Sequence, residues 1–550
     1  MPGIMPLTVP KATGLNSTDH KQMNRSQQID NIEHYDNVWD MIVVGGGASG
    51  LGTAIDAANR GYKTLLLEQA DFAKGTSSRS TKLAHGGVRY LQQGDISLVV
   101  EALHERGLMM QNAPHLVHNQ AFVIPTYDWW GGPFYNVGLK VYDALAGKLG
   151  LGPSKGLSKE ETIERIPTVE TEGLRGGVIY YDGQFDDSRL AVNMAQTFVE
   201  EGGTALNYMK VTGLLKTKDI VSGVKATDLE SGKAYNLHSR VVINATGVFV
   251  DKILQMDRPD AKNIVSPSQG VHIVLEKEFL PGKSAIMVPR TDDGRVLFAV
   301  PWNNKVVVGT TDTALEQADL EPRPLDDEVQ FILEHAARYL EKKPKRSDIL
   351  SVFAGLRPLV KAGGDKNTAQ LSRSHAVLVS TSGLVTITGG KWTTYRKMGE
   401  DTVDKAALVA GLNLKPCTTR ELRIHGWLKN VDENDPLSFY GSDLIGIKKL
   451  VEKNAQLGEQ LHPDLPFIKA QVVWAVREEM ARTVEDFLSR RTRSLLLNAR
   501  ASKEMAPEVA RIMAEELNFS AEWENNQLQH FMALANDYLP QPQKGVSQEL

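Results

Sequence analysis

Residues 39–50, WDMIVVGGGASG, decide the fold, because a short apolar run leads there directly into a glycine-rich turn. The run Met41–Val44 is typical of a strand that is buried on both faces. Gly45, Gly47 and Gly50 fit the pattern G-x-G-x-x-G, and the apolar residues that follow recur at helical spacing. This order of strand, turn and helix predicts the first unit of a Rossmann-like domain that binds a dinucleotide.

A second strand is predicted at Thr64–Leu67, and it ends at an acid, Glu68. The glycines permit a tight turn, close approach of a pyrophosphate and close packing of the helix, whose N-terminus attracts phosphates. Glu68 is suited to accept hydrogen bonds from ribose hydroxyls, and an acid rather than an arginine at this point disfavours NADP. The alternative is a βαβ unit without a ligand, which the complete order of these parts makes the weaker interpretation.

Composition limits the class of protein. A chain of 550 residues exceeds the roughly 250–300 residues of a single core, so we expect roughly two or three domains. Hydrophobic residues make up 41% and charged residues 23%, as in a soluble globular protein. The net charge of −5 argues against a general nucleic-acid binder. A single cysteine, Cys417, excludes an intrachain disulfide and a cysteine-based metal site, and we predict no metal.

The chain ends and the hydropathy bear on membrane contact. Residues 1–37 are polar and are expected to form a disordered extension rather than a signal peptide, and residues 541–550 a polar tail. No apolar run approaches the roughly 18–20 residues of a spanning helix, so any membrane contact should be peripheral. Residues 129–150 carry aromatic and apolar residues at helical spacing. They predict either a helix that lies on a membrane surface or a cap helix packed on its own domain.

Further motifs bear on the cofactor. The hydroxyl-rich run 76–82, TSSRSTK, leads into 85–90, HGGVRY. NATG at 244–247 and GGK at 389–391 each follow a predicted buried strand. A helix that starts near residue 391 could stabilise negative charge on the N1/O2 edge of a reduced flavin. On composition alone the hydroxyl-rich run is a polar loop, but the distant motifs favour a flavin.

These motifs together resemble the D-amino-acid-oxidase-like flavoprotein superfamily and, within it, the FAD-dependent glycerol-3-phosphate dehydrogenases. The more selective matches are HGGVRYL at 85–91, DDSRL at 186–190, VPW at 300–302, GTTD at 309–312, GLRP at 355–358 and GKWTTYR at 390–396. The resemblance covers roughly residues 38–540. Val248-Phe249 departs from the Pro-Trp that the family commonly has after NATG. The aromatic contact beside the cofactor is therefore expected to differ in detail.

The resemblance implies a mixed α/β fold with three parts. A Rossmann-like FAD-binding domain is expected at 38–110, 175–262 and 350–412, and an antiparallel-sheet substrate or cap domain at 111–174 and 263–349. A C-terminal all-helical domain is expected at 413–540. Alternating residues between 271 and 308, with turn residues between the runs, independently predict an antiparallel meander. The basic cluster 490–493 is expected to be a solvated or salt-bridged face.

The resemblance also implies non-covalent FAD as the cofactor. The residues expected to bind it are Gly45, Gly47, Gly50, Glu68, Thr76, Ser77, Ser80, Lys82, His85, Gly86, Gly87, Val211, Ala245, Gly247, Gly390, Lys391 and Thr393.

The substrate implied by the resemblance is sn-glycerol 3-phosphate, a dianion with a secondary alcohol. We expect Arg89, Arg357 and Lys391 to converge on it as cations, with Arg373 as a weaker candidate and Tyr90 as a hydroxyl donor. His272 is the natural base for the alcohol proton. From the strand pattern alone His272 would be a core histidine. Trp302 could equally pack in the core or line the pocket. Arg357 could instead hold the developing alkoxide.

The implied reaction is oxidation of sn-glycerol 3-phosphate to dihydroxyacetone phosphate by hydride transfer from C2 to flavin N5. Electrons would pass to a respiratory quinone at the inner face of the cytoplasmic membrane. The reaction would serve glycerol and glycerophospholipid catabolism, and the resemblance is compatible with a homodimer.

The first alternative is a glycerol-3-phosphate oxidase that converts O2 to H2O2. The lack of an obvious long insertion in the substrate domain disfavours it. A flavin-bearing binding protein without turnover and an amine or amino-acid oxidase are further alternatives, against which the three cations argue.

Overall fold

The computed structural model describes residues 23–87, 95–128, 131–292, 294–361 and 374–541. The strands are β1 (Trp39–Val44), β2 (Thr64–Leu67), β3 (Leu83–Ala84), β4 (Val117–Thr126), β5 (Lys155–Leu157), β6 (Gly176–Phe185), β7 (Thr204–Leu206), β8 (Met209–Thr217), β9 (Ile220–Asp228), β10 (Ala234–Asn244), β11 (Val265–Glu276), β12 (Ala285–Val288), β13 (Leu297–Trp302), β14 (Lys305–Gly309), β15 (Thr313–Ala314), β16 (Ser351–Val360), β17 (His375–Val379), β18 (Val385–Gly389), β19 (Gln460–His462) and β20 (Leu465–Ile468).

The helices pack on and between these strands. They are α1 (Arg25–Glu33), α2 (Ala48–Asn59), α3 (Ile96–Asn112), α4 (Gly131–Ala146), α5 (Lys159–Arg165), α6 (Asp187–Glu200), α7 (Val250–Asp257), α8 (Asp326–Ala336), α9 (Tyr395–Val409), α10 (Leu444–Lys453), α11 (Lys469–Glu478), α12 (Ser494–Leu497), α13 (Ala499–Leu517) and α14 (Ala521–Asp537).

The first sheet is the predicted Rossmann-like core. Its main path is β17-β18-β10-β1-β2-β7, and β8 and β9 extend it from β10. β1 is parallel to both β2 and β10, and its residues from Met41 to Val44 are buried, as the apolar run predicted. Helix α2 packs against α6 and α9. The carboxyl ends of β1, β2 and β10 therefore meet at one edge, where the cofactor of such a sheet binds.

The second sheet contains the predicted meander. Its path is β15-β11-β14-β13-β12-β4-β6-β3, with β16 paired to β11 and β5 paired to β6. β13 and β14 are joined at Asn303 and Asn304, whose φ angles of 45° and 59° suit the predicted two-residue turn. The turn chemistry and the alternation of apolar residues thus predicted these strands correctly.

Two strands lie in a different sheet from the one that the sequence division suggested. β6 and β16 were expected with the FAD-binding domain, but they belong to the second sheet. β16 pairs with β11 over ten consecutive residue pairs, from Val265↔Val360 to Val274↔Ser351. Such pairing depends on distant partners rather than on the pattern of the strand itself. The remaining boundaries of the domain division stay a prediction.

The N-terminal extension is ordered over part of its predicted length, which corrects the expectation of disorder for 25–37. Asn24 caps α1 by accepting a hydrogen bond from the Gln27 backbone. Arg25 forms an ion pair with Asp228 at 2.5 Å, and Gln28 accepts a hydrogen bond from the backbone of Ala205. These contacts attach a polar helix to the first sheet, which its low hydrophobicity did not reveal.

The C-terminal region is helical, with one short hairpin of β19 and β20. Its basic cluster is salt-bridged but buried, whereas a face open to solvent was the other expectation. Arg490 and Arg491 both donate to Asp71, which follows the second strand of the first sheet, and Arg493 forms an ion pair with Asp186 at 2.8 Å. Burial of these pairs fixes the C-terminal region to the first sheet, since removing one partner would leave a buried charge.

Candidate active site

A cavity of about 390 Å³ lies at the carboxyl edge of the first sheet. Ten of the residues expected to bind FAD line it: Gly45, Gly47, Glu68, Thr76, Ser77, Val211, Ala245, Gly247, Gly390 and Lys391. They come from the ends of β1, β2 and β10, from the turn after β18, from the hydroxyl-rich loop and from β8. The sheet therefore gathers motifs that are more than 300 residues apart in sequence into one wall.

The glycine turn leaves room for a diphosphate. Gly45 has φ +110°, and a Cβ there would lie 2.6 Å from the carbonyl oxygen of Ala245. A Cβ at Gly50 would lie 1.8 Å from the Gly45 oxygen, so Gly50 acts by letting α2 approach β1 and does not line the cavity. The N-terminus of α2 opens onto the cavity beside Gly47, and the N-terminus of a helix attracts phosphates. The cradle fits a dinucleotide cofactor.

Glu68, at the end of β2, lines this cavity. Its carboxylate accepts hydrogen bonds from the backbone N–H groups of Gly46 at 2.6 Å and Ala70 at 2.9 Å. Burial raises the pKa of Glu68, although these two bonds oppose the shift. The acid therefore stiffens the turn and presents its oxygen atoms to the cavity, where a ribose hydroxyl could donate to them.

The hydroxyl-rich loop separates the first cavity from a second one. Ser77 accepts a hydrogen bond from the Ala48 backbone at 2.9 Å, which places the serine hydroxyl at the start of α2. Thr76 donates to the Leu356 carbonyl at 2.5 Å and so fastens the loop to β16. In β16, Pro358 lines the first cavity and its neighbour Arg357 lines the second. The loop and β16 thus form a shared wall.

Four other residues predicted to bind the cofactor have side chains or backbone atoms directed elsewhere. Lys82 is fully buried, and its ammonium donates to both oxygens of Asp187 at 2.8 Å. Ser80 donates to the same carboxylate at 2.7 Å. The backbone N–H of Gly86 donates to the hydroxyl of Tyr142 at 2.8 Å. None of these lines the first cavity, and neither does Thr393, which donates to the His85 carbonyl at 3.5 Å.

The second cavity, of about 180 Å³, lies against the second sheet. Arg295 and Arg357 supply its positive charge. The lining also includes Thr81, Leu83, His85, Gly87, Phe122, Tyr180, Asp182, Met287, Val296, Phe298, Thr310, Thr311 and Asp312. His85 and Gly87, which were predicted on the cofactor, therefore face the same cavity as Arg357. Asp182 and Asp312 of the same lining form ion pairs with Arg106 and Arg357, and the guanidinium groups suit a small anion in a cavity of this size.

Arg357 is held in place by the turn after β14. Its guanidinium donates to the Thr310 hydroxyl at 3.2 Å and to the Thr311 carbonyl at 3.1 Å, and it lies 3.4 Å from Asp312. Asp312 also accepts a hydrogen bond from Ser268, which is the cross-strand partner of Arg357. The side chain remains 26% exposed, so a fixed guanidinium still faces the cavity.

His272 lies behind the second cavity rather than on its surface. It is 3% exposed, its ring stacks on Phe353 with centroids 4.9 Å apart, and its Nε2 is 2.9 Å from Thr81 Oγ1. Burial, with Arg357 and Lys82 nearby, lowers its pKa well below 6.5. The ring is therefore neutral, and it contacts the lining of the cavity through Thr81.

Three predicted substrate residues, Arg89, Tyr90 and Arg373, lie outside the described residues. Of the other cations, Lys391 lines the first cavity and Arg357 the second, so the expected convergence of the two on one cavity is not seen. Trp302 is buried among C-terminal side chains and acts in packing.

Four cations that line the two cavities were not predicted from the sequence. Lys74, Lys210 and Lys252 line the first cavity, where Lys74 pairs with Glu321 and Glu485. Arg295 lines the second cavity. Lys74 could have been found from its place between Glu68 and the hydroxyl-rich run, and Arg295 from its place at the start of a predicted strand.

Helix α4 has two apolar faces. Leu139 and Tyr142 are buried against the protein, whereas Phe134, Val137 and Val141 are 62%, 67% and 46% exposed. The helix thus packs on its own domain and also presents an apolar stripe. No helix among the described residues is long and apolar enough to cross a membrane. Trp129 and Trp130 lie outside those residues.

A glycine cradle and an acid on a Rossmann-like sheet, beside a cavity with two arginines on a largely antiparallel sheet, are typical of an FAD-dependent oxidoreductase. Residues 40–396 match the family described as FAD dependent oxidoreductase, and residues 388–524 match the C-terminal domain of alpha-glycerophosphate oxidase.

Known proteins narrow the class. The mitochondrial glycerol-3-phosphate dehydrogenase of Rattus norvegicus is 40% identical over 88% of this chain and 71% of its own length. That of Schizosaccharomyces pombe is 38% identical over 94% of this chain and 89% of its own. The structure of the Bacillus halodurans glycerol-3-phosphate dehydrogenase with FAD has a TM-score of 0.77 and 30% identity, covering 95% of this chain and 99% of that one. The chain belongs to the FAD-dependent glycerol-3-phosphate dehydrogenase family.

Proposed function

We propose that the chain oxidises sn-glycerol 3-phosphate to dihydroxyacetone phosphate with non-covalently bound FAD. Bound FAD would supply the acceptor, at N5, for the hydride that leaves C2 of the substrate. The observation that carries the proposal is the shared wall between the glycine cradle and the second cavity, which contains Arg295 and Arg357. It allows a flavin at the end of one cavity to meet a small anion in the other.

The residues of the second cavity divide the work between binding and orientation. Arg357 offers a planar fork that suits either a phosphoryl group or a developing alkoxide, and Asp312 and Thr310 keep it oriented. Arg295 adds a second guanidinium to the same lining. Arg89, Tyr90 and Arg373 are proposed as further substrate contacts on their motif positions, and Lys391 as a cation at the flavin end of the first cavity.

His272 is poorly placed to take the proton of the substrate alcohol directly. The imidazole is buried behind Thr81, and burial together with Arg357 and Lys82 lowers its pKa. These observations favour the alternative in which Arg357 stabilises negative charge on the substrate oxygen. They leave His272 a supporting role.

For the electron acceptor we propose a quinone at a membrane surface, reached by a peripheral enzyme on the inner face of a cytoplasmic membrane. The exposed stripe of α4 supports peripheral binding, and the names of the relatives support dehydrogenation. A glycerol-3-phosphate oxidase is the second candidate, because residues 388–524 match a domain named after such an oxidase.

Steady-state assays with sn-glycerol 3-phosphate test the function and separate the two acceptors. The dehydrogenase should reduce a soluble quinone analogue much faster than it forms hydrogen peroxide in air. Stoichiometric peroxide without quinone reduction would establish the oxidase instead. No turnover with either acceptor, in protein that retains FAD, would contradict both.

A further inference from the structure

The contact between His272 and Thr81 connects a buried ring to the second cavity. Thr81 lines that cavity, and its Oγ1 is 2.9 Å from His272 Nε2. The ring cannot turn freely, because it stacks on Phe353 at an interplanar angle of 14°. The backbone of Gly309 also closes on it, since a Cβ there would lie 2.4 Å from His272 Cδ2. His272 is therefore a fixed partner for the threonine hydroxyl.

The other ring nitrogen determines the direction of this hydrogen bond. His272 Nδ1 is buried and has no hydrogen-bond partner in the described part of the chain. A proton on Nδ1 would leave a buried N–H group without an acceptor, which is more costly than leaving a lone pair without a donor. The neutral ring therefore carries its proton on Nε2 and donates to Thr81.

This direction leaves the hydroxyl proton of Thr81 available to another acceptor. A threonine hydroxyl has one proton and two lone pairs, and His272 uses one of the lone pairs. The proton then points away from the imidazole, on the side where Thr81 lines the cavity. Arg295 and Arg357 line the same cavity and suit an anion there, while the two carboxylates of the lining, Asp182 and Asp312, pair with Arg106 and Arg357.

We propose that Thr81 is a substrate-binding residue that donates a hydrogen bond to an oxygen of the substrate, and that His272 is the positioning residue that orients it. The inference rests on the proposed function for the identity of the substrate. It replaces the expected role of His272 as a base, because a ring that donates through Nε2 cannot take a proton through Thr81.

Rapid mixing of the FAD-loaded protein with sn-glycerol 3-phosphate, without oxygen, tests the role of Thr81. Thr81→Val keeps the shape but removes the donor, and it should weaken apparent substrate binding or slow flavin reduction about tenfold, as expected for one hydrogen bond to a charged or developing anion. Thr81→Ser restores a hydroxyl and should recover most of the loss. The matched control is Thr162→Val, whose buried hydroxyl donates to Ser158 away from both cavities.

Variants of His272 test the positioning role. His272→Gln keeps an N–H donor near Thr81 and should stay close to the wild type. His272→Leu removes the donor and should reproduce the defect of Thr81→Val, without adding to it in the double variant. Additive losses would show that the two residues act separately. If His272→Leu does not retain FAD, the comparison of valine and serine at residue 81 still decides the role of Thr81.

Inhibition by inorganic phosphate tests whether Thr81 contacts a phosphoryl oxygen or the C2 oxygen of the substrate. If phosphate inhibits Thr81→Val more weakly than the wild type, the threonine hydroxyl contacts the phosphoryl group. Unchanged phosphate inhibition with slower flavin reduction would assign it to the C2 oxygen. If binding and reduction in Thr81→Val both equal the wild type, the inference is overturned. If the wild type itself is not reduced, the proposed function fails, and phosphate binding to the two proteins still tests the donor.

Discussion

Arg357 shows how a single residue is prepared for chemistry by residues far from it in sequence. Its guanidinium is held by Thr310, Thr311 and Asp312, which follow a different strand of the same sheet. Fixing a planar donor before the substrate arrives lowers the entropy that binding must overcome, and it directs charge at the place where negative charge develops.

Replacement of Arg357 by alanine should lower kcat/KM at least tenfold, which corresponds to about 1.4 kcal/mol. FAD should stay bound, because Arg357 lines the second cavity rather than the first. Steady-state kinetics and the flavin absorbance of the purified variant measure the two effects. Arg338→Ala is the control, since that guanidinium pairs with Asp292 at the surface. Unchanged kinetics in Arg357→Ala would remove this residue from the site.

Glu68→Ala should release FAD more readily than the wild type. The change removes the acceptor of two backbone N–H groups and the carboxylate expected at the ribose. The ratio of flavin to protein after gel filtration measures retention. Glu164→Ala, on the exposed side of α5, should behave as the wild type. Full retention in Glu68→Ala would count against the ribose role.

The residues that sequence predicted best are those whose neighbours are close in sequence. Gly45, Gly47 and Glu68 lie in one βαβ unit, so their order determines their geometry. Lys82 also lies in a polar motif, but Asp187, which is 105 residues away, binds its ammonium in the interior. A lysine in a loop can point to either side, and only the fold decides which acid it meets.

At the scale of secondary-structure elements, helix α4 has one buried apolar face and one exposed apolar face. Its buried face packs against the protein through Leu139 and Tyr142, and the opposite face exposes three large apolar residues. Apolar area of this kind contributes to binding when it enters a membrane interface.

Serine at both Phe134 and Val137 should weaken binding to anionic lipid vesicles at least tenfold, because two exposed apolar side chains are lost from the stripe. Vesicle sedimentation measures the binding. Activity with a soluble quinone, in the absence of lipid, should not change. Leu408→Ser is the matched control, since Leu408 is 62% exposed at the end of α9. Equal vesicle binding by the double variant and the wild type would exclude α4 as the membrane contact.

The sequence predicted the type of a secondary-structure element better than the strands with which it pairs. The meander β12–β14 was evident from alternation and from the turn at Asn303-Asn304. The sheet to which β16 belongs was not, because its ten pairs with β11 join residues about 80 to 100 positions apart. Helix α1 was missed because it is short and mostly polar, and it is held by capping, by contacts such as Arg25–Asp228 and by burial of Ile32 against the first sheet.

Across the whole molecule, the C-terminal region is attached to the first sheet through charged groups. His425 forms one such link, with Nδ1 2.6 Å from Glu200 of α6 and Nε2 2.9 Å from Asp443. Burial alone would lower the pKa of His425, but Asp443 and Glu200 outweigh it and raise the pKa to about 10. The charged imidazole thus stabilises the assembled chain.

The sign of this effect gives a pH dependence. Because the pKa is raised on folding, the stabilisation is complete below about 6.5, the unfolded value, and is lost as the pH rises towards about 10. Urea unfolding at about pH 7 should show His425→Gln less stable than the wild type by about 2 kcal/mol, and the difference should shrink at about pH 10. His104→Gln, at a half-exposed position, is the control. A difference that does not change with pH would contradict the link.

The central claim is that sn-glycerol 3-phosphate reduces the FAD held by this chain. The most direct test is to add the substrate to the FAD-loaded protein without oxygen and to follow the flavin absorbance at about 450 nm, which belongs to the oxidised cofactor. Rapid bleaching, slowed in Arg357→Ala, is the predicted result. Full retention of the absorbance in protein that demonstrably holds FAD would contradict the substrate assignment, while the fold and the cofactor would stand.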